Sequence, residues 1–259
     1  MCAGLAQRRQ LAERSNGVRV WQIGAGLARV GGSGVVRGAH DTRGGAALCA
    51  VLGEPLGWDA AGGVAVDEGA WQTARRAAGV IAVWAGGVSP GGSGLPAWGP
   101  AGAVRLEAVL AWAAARSQRD GVRVWLRTHA GHVLSDAVGA RRVGAWAAQR
   151  APGVGVGAEV GAEVGVGVMW DLPAMLTPGM LARAQDHLTR MVQDAADSRG
   201  VGAVLLAGAR ADADGRAAWP VPLTSMPGVF DAQGVIGLAR RALADVPVLV
   251  LPQDAALAQ

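Results

Sequence analysis

Two textures alternate along the chain. Short β-branched runs are followed by longer stretches in which apolar residues return every three or four positions. The short runs are Val18–Ile23, Gly79–Trp84, Val122–Leu126, Val164–Trp170, Val201–Leu206 and Val246–Leu251, each bounded by Gly, Pro or charge. That pattern predicts strands buried on both faces. Four longer stretches predict helices. Val104–Arg119 gathers Leu106, Val109, Leu110 and Ala113 on one face. Asp136–Gln149 is rich in Ala and Arg. Thr177–Ala196 offers Thr177 as a cap, Pro178 at the first helical position, and Leu181, Leu188 and Met191 as the buried stripe. Asp231–Leu243 turns Val235, Leu238 and Ala239 inward. Strand and helix in alternation imply an α/β fold with a parallel sheet.

The chain has 259 residues and no evident linker. A (β/α)₈ barrel takes ~250 residues as one unit, so residues 1–259 are expected to form a single domain. The tandem GAEV of residues 157–164 reads as a slipped duplication in a loop, not a solenoid, which needs several longer repeats. The uncharged stretch 77–104 is broken by Gly and Pro from Gly86 onward and reads as a loop after a strand, not a membrane span.

Composition narrows the classes. Hydrophobic content of 51% with 17% charge excludes a disordered chain. Every basic residue is Arg, Tyr is absent, and ten Trp stand against one Phe, the signature of a GC-rich genome. The sequence pI near 10.7 follows from a net charge of only +4 with no Lys or Tyr to buffer it. The Arg residues are scattered and accompany no nucleic-acid module, so nucleic acid is disfavoured as a partner. Cys2 and Cys49 cannot build a disulfide framework, and no Cys/His spacing suits zinc. The N-terminus lacks the apolar core of a signal peptide, and a cytoplasmic location is expected.

Candidate chemistry sits where strands end, because ligands of parallel α/β folds bind at the carboxyl ends of the strands. Arg127, His129 and His132 follow one predicted strand and could hold an anion or a metal, or form a polar loop. Asp171 ends another, as a catalytic acid or a cap; Thr177 is too distant for Asp171 to cap its helix. Gly24–Arg29 follows a third with a partial dinucleotide fingerprint, but Arg29 stands where the last Gly is needed for helix and strand to pack.

In order, these pieces resemble the xylose-isomerase-like TIM barrels, the sugar phosphate isomerase/epimerase proteins. ARRAAGVIAVWAGGVSP is similar to the family's third strand and GVRVWLRTHAGH to its fourth. VGVGVMWDLPAML is similar to "Val-Gly-Leu-x-x-Asp-x-x-His", and VGAVLLAGARADADG occupies the place of "Ile-x-x-Val-His-x-Lys-Asp". WPVPLTSMPGVFDAQGVIGLARRAL and VPVLVLPQ follow as the last turn, helix and strand. The likeness spans roughly residues 70–255 and implies a single (β/α)₈ TIM barrel. The first 70 residues match poorly. Of the acids and His that hold the family's divalent metal, Asp171 is kept. Arg127 replaces a Glu, Ala174 a His, and the remaining ligand positions carry none.

One carboxylate does not hold a hard cation tightly. The resemblance therefore implies a diverged isomerase/epimerase-like protein that binds a small sugar, polyol or sugar phosphate without a resident metal. In it Arg127 pairs with Asp171 in place of the cation. At ~4 Å and an effective dielectric of 20, such a pair is worth ~4 kcal/mol before desolvation. Asp171 and His129 are the candidate catalytic groups; Arg127 and His132 are the candidate ligand-binding groups. Two further readings stay open: a non-catalytic barrel serving as a subunit or scaffold, with a protein partner or a second copy, and a nucleotide-binding oxidoreductase resting on Gly24–Arg29.

Overall fold

A computed structural model describes residues 14–15, 18–22, 34–37, 47–52, 54–88, 99–150, 165–211, 218–226, 230–251 and 254. The Gly24–Arg29 loop, the tandem repeat, Cys2 and residues 89–98 of the Gly/Pro stretch lie outside these residues.

The strands are β1 (Arg14–Ser15), β2 (Val18–Gln22), β3 (Gly34–Arg37), β4 (Ala47–Val51), β5 (Gly57–Trp58), β6 (Val64–Ala65), β7 (Val80–Trp84), β8 (Arg123–Arg127), β9 (Gly165–Asp171), β10 (Val201–Leu206), β11 (Gly208–Ala211), β12 (Ala218–Val221) and β13 (Val248–Val250). The helices are α1 (Glu68–Ala77), α2 (Pro100–Asp120), α3 (Ala137–Arg150), α4 (Leu172–Met175), α5 (Ala184–Ala196) and α6 (Ala232–Ala242), with short 3₁₀ turns at Pro178–Arg183 and Leu223–Ser225.

The main sheet runs in the order β1-β2-β13-β10-β9-β8-β7-β4-β3. From β2 to β4 every neighbouring pair is parallel, while β1 and β3 are antiparallel edges. The α/β class with a parallel sheet is therefore present. The eight parallel strands of a closed (β/α)₈ barrel are not seen among the described residues.

Alternation along the strands makes two cores. Ala50, Ile81, Val83, Val124, Leu126, Val168, Trp170, Val204, Leu206, Val248 and Val250 face the helices, packing on Trp71, Val109, Val143, Leu188 and Ile236 among others. The opposite face joins Cys49, Val51, Val80, Ala82, Trp125, Met169, Ala203, Leu205 and Leu249, drawn only from strands β4 through β13. A sheet whose face packs on itself in this way is curled. Trp125 fills much of that concave face. Its ring lies across Gly167 of β9 and Gly202 of β10, where any Cβ would collide with it.

The expected helices are present with shifted ends. α2 starts at Pro100, ahead of the first periodic apolar residue, because Pro suits a first helical position. The expected Thr177–Ala196 helix is split. Pro178-Gly179 removes one N–H and gives the first turn low propensity, so a 3₁₀ turn precedes α5. Leu181 is half-buried there, while Leu188 and Met191 are buried.

Candidate functional site

The concave face continues upward to the carboxyl ends of β7, β8 and β9. Trp84, Arg127 and Asp171 share the strand parity of Ala82, Trp125 and Met169, so alternation aims all three side chains into the same mouth. Trp84 stands opposite Arg127 in register, and Arg127 opposite Met169. Asp171 therefore lies diagonally ahead of Arg127, a separation that a long side chain can span.

Arg127 and Asp171 are ion-paired through Nη2 and Oδ2 and are almost wholly buried, at 6% and 1% exposure. Nη1 of Arg127 donates to the carbonyl of Leu52 at 3.4 Å, and its guanidinium lies 4.0 Å from the centroid of the Trp84 ring. Oδ1 of Asp171 accepts from the backbone N–H of Ala174 at 3.3 Å and so caps α4. The backbone N–H of Asp171 donates in turn to the hydroxyl of the buried Thr128 at 2.9 Å. The expectation that Asp171 is a poor cap considered only the helix after Thr177. The four-residue α4 begins directly after Asp171 and gives the carboxylate a capping role beside its ion pair.

The β8–α3 loop brings the imidazoles over this pair. A tight turn, with His132 N–H donating to the His129 carbonyl at 3.0 Å, stacks the two rings at 4.1 Å and 21°. Both meet Trp84 edge-on, at 5.7 Å and 6.1 Å. The loop is held from two sides. Val133 N–H donates to the carbonyl of Gly86, and Ala130 N–H to that of Ala174, each at 2.9 Å. Gly86 has φ +77° and packs against the Leu56 carbonyl, leaving no space for a side chain. Trp84, His129 and His132 are half-buried and form the rim over the buried charges.

Burial lowers the pKa of His129; Asp171 opposes the shift and Arg127 adds to it. Burial, then His129 and Arg127, push His132 down to about 3. Both rings are neutral at pH 7. Nδ1 of His129 accepts from the backbone N–H of Gly131 at 3.0 Å, which leaves the proton on Nε2 and makes that atom a donor. Below the mouth, burial raises the Cys49 thiol to about 12 against the pull of Arg127, so it is no nucleophile at neutral pH. Three buried polar atoms of the cluster, Trp84 Nε1, Arg127 Nε and His132 Nδ1, have no hydrogen-bond partner among the described residues.

Chemically the cluster is a paired charge surrounded by uncharged donors. It does not fit a divalent cation. Both Asp171 oxygens are engaged, a guanidinium occupies the centre, and the described residues contain no group of three His, Cys, Asp or Glu that could hold a metal. Its bases are poor: the His129 lone pair is taken, Asp171 is neutralised, and the lone pair of neutral His132 is weak, with its pKa pushed down to about 3.

The four residues singled out from sequence, Arg127, His129, His132 and Asp171, are thus brought together. His187 lies elsewhere. It lines a surface groove of about 620 Å³ with Arg183, Gln185, Asp186, Thr189, Arg190 and Gln193, which shares no residue with the cluster. Sequence reasoning missed Trp84, Thr128 and the Leu52 carbonyl. Trp84 had a legible signal, since both it and Arg127 close their strands, in VIAVW and RVWLR.

No family model matches the chain, and no curated protein matches it significantly. Among solved structures it is similar to the apo form of 3-keto-D-glucoside 4-epimerase, YcjR, from E. coli. The similarity covers 76% of this chain and 68% of that one, with 16% identity and a TM-score of 0.41. At that distance, function has to be read from the side chains themselves. Among the described residues, no helix is long and apolar enough to cross a membrane.

Proposed function

We propose that this chain is a diverged isomerase/epimerase-like protein that binds a small sugar, polyol or sugar phosphate at the carboxyl end of its sheet, with the Arg127–Asp171 pair standing where a divalent cation would otherwise be needed. One observation carries the reading. Trp84 Nε1, Arg127 Nε and His132 Nδ1 are buried and unpartnered within a single cluster at the place where parallel α/β folds take ligands. A buried donor without a partner costs about 1–3 kcal/mol, and the hydroxyl oxygens of a polyol, or the ring or carbonyl oxygen of a sugar, offset that cost. The half-buried Trp84 ring adds an apolar wall of the kind that small-molecule sites use.

The engaged lone pair of His129 and the paired Asp171 favour binding over turnover. Arg127 and His132 hold the ligand. His129 donates from Nε2, and Asp171 fixes the guanidinium. Calorimetric titration with D-xylose, D-glucose and myo-inositol tests the proposal, alongside a Trp84→Ala/His132→Ala chain. Saturable binding lost in that variant is expected. A chain that binds none of the three at millimolar concentration would favour the scaffold reading.

A further inference from the structure

We infer that the site takes an uncharged, oxygen-rich ligand and rejects its phosphorylated or carboxylated counterpart. This rests on the binding reading above and narrows its substrate class. Within the cluster the guanidinium of Arg127 carries the positive charge, and the carboxylate of Asp171 already neutralises it. Both partners are buried, so the pair cannot splay toward solvent to meet a second anion without exposing or stranding one charge. The two imidazoles above are neutral at pH 7 and add no cation. An incoming phosphate would lose its water and find no unpaired charge in return.

The hydrogen-bonding groups left over point the same way. Trp84 Nε1–H and Arg127 Nε–H are donors without partners, and His129 offers Nε2–H because its Nδ1 is taken by Gly131. Against these stands one imidazole lone pair of neutral His132, since both oxygens of Asp171 are in use, by Arg127 and by Ala174. A donor-rich, net-neutral surface is complementary to hydroxyl, ring-ether or carbonyl lone pairs. Trp84, His129 and His132 are half-buried, while Trp84 Nε1 and Arg127 Nε are themselves buried, so a ligand meets these donors only where the half-buried rings move aside.

The test titrates the full chain with D-glucose and myo-inositol, and in parallel with D-glucose 6-phosphate and inorganic phosphate, at low and high salt. The neutral probes are expected to bind about ten-fold or more tightly than glucose 6-phosphate, with little salt dependence. Asp171→Asn keeps the side-chain shape and an acceptor for Ala174 but frees the guanidinium. It is expected to gain phosphate affinity by about ten-fold or more, and that gain is expected to fade with salt. Glucose 6-phosphate binding the parent chain more tightly than glucose would overturn this inference and leave the binding proposal standing. Silence from all four probes overturns the binding proposal, and this inference with it. An Asp171→Asn chain that folds yet still ignores phosphate would overturn the assignment of selectivity to the paired charges. Should that variant not fold, the parent's salt series decides alone, because affinity that collapses with rising salt marks an ionic ligand.

Discussion

Cutting one member of the buried ion pair strands the other, and the cost can be worked from the mouth of the sheet. Asp171 is 1% exposed in the parent; in Arg127→Leu its carboxylate loses its counter-ion, and the backbone N–H of Ala174, at 3.3 Å in the parent, is its remaining hydrogen-bond donor. Removing one partner of such a pair costs about 3–5 kcal/mol, because an uncompensated charge stays buried. The guanidinium over Trp84 adds about 0.5–2 kcal/mol, partly recovered by Leu packing on the same ring. A domain of this size loses about 2–4 °C in Tm per kcal/mol, so a total of about 3–7 kcal/mol gives an expected fall of about 6–28 °C. Arg127→Leu/Asp171→Leu replaces both charges with apolar groups and is expected to return to within about 1 kcal/mol of the parent, or above it. The exposed Arg183–Asp186 pair, at 79% and 65% exposure, is the control, and its removal is expected to move stability by less than about 0.5 kcal/mol. Urea unfolding of the four chains of the cycle gives the coupling energy directly. A coupling below about 0.5 kcal/mol, no larger than that of a surface pair, would refute the claim that this pair is desolvated and organises the site.

Three further outcomes are expected. The folded pKa of His132 is depressed to about 3 and that of His129 is also lowered, so the unfolded chain binds these protons more tightly. Their contribution is present above about pH 6.5 and is lost as pH falls toward the folded values, by up to about 1.4 kcal/mol per pH unit per proton. Urea midpoints of the parent and of His132→Gln between about pH 6.5 and pH 5 check this; a parent as flat as the variant contradicts it. Within α3, Gly144→Ala drives a Cβ into the Arg199 carbonyl, whereas Gly139→Ala meets Asp136 and Leu134 at 3.4 Å and 3.5 Å. Thermal melts are expected to show the first as strongly destabilising and the second as neutral or stabilising by up to about 1 kcal/mol. Asp254 is fully buried and accepts from the N–H of Leu223 at 2.8 Å and from the N–H and hydroxyl of Thr224 at 3.3 Å and 3.2 Å. Asp254→Ala strands these groups and is expected to cost about 1–3 kcal/mol in urea unfolding.

Strands with a strong local signal were legible. Val201–Leu206 is found at the expected residues, and Val80–Trp84 and Arg123–Arg127 lie within one residue of expectation. β4 was not legible because ALCAV carries one β-branched residue. Its burial comes from lying between β7 and β3, a pairing made by distant chain. The ribbon of β11 and β12 was missed for the same reason, since GARA has no alternation and becomes a strand only by pairing with Ala218–Val221. The antiparallel edges β1 and β3 are defined by their pairing with β2 and β4, not by periodicity. At the site, Arg127, His129, His132 and Asp171 could be found because strand ends can be read from sequence. Trp84 stood among ten tryptophans; its place at the end of VIAVW was legible, and its register opposite Arg127 is what separates it from core residues such as Trp170. The occupied lone pair of His129 depends on a turn at Gly131 that no pattern encodes.

One side chain links four strand ends at this mouth. Arg127 leaves β8, reaches Asp171 at the end of β9, donates to Leu52 just past β4, and lies over Trp84 at the end of β7. A divalent cation could also link several strand ends, but it needs an oxygen or imidazole ligand from each. The guanidinium needs one carboxylate, one backbone carbonyl and one aromatic face, because its planar fork and weakly hydrated ring-stacking surface satisfy each in a different direction. On the proposed reading, sequence change that removes metal ligands need not dissolve such a mouth, provided an arginine can span the diagonal to a neighbouring acid. The cost is chemical. A cation polarises a bound carbonyl through an open coordination position, whereas a guanidinium already paired to Asp171 offers only N–H donors whose charge is neutralised, the unpartnered Nε–H among them. Under the proposed function, an arginine in that position keeps the strand ends joined and favours holding a ligand over polarising one.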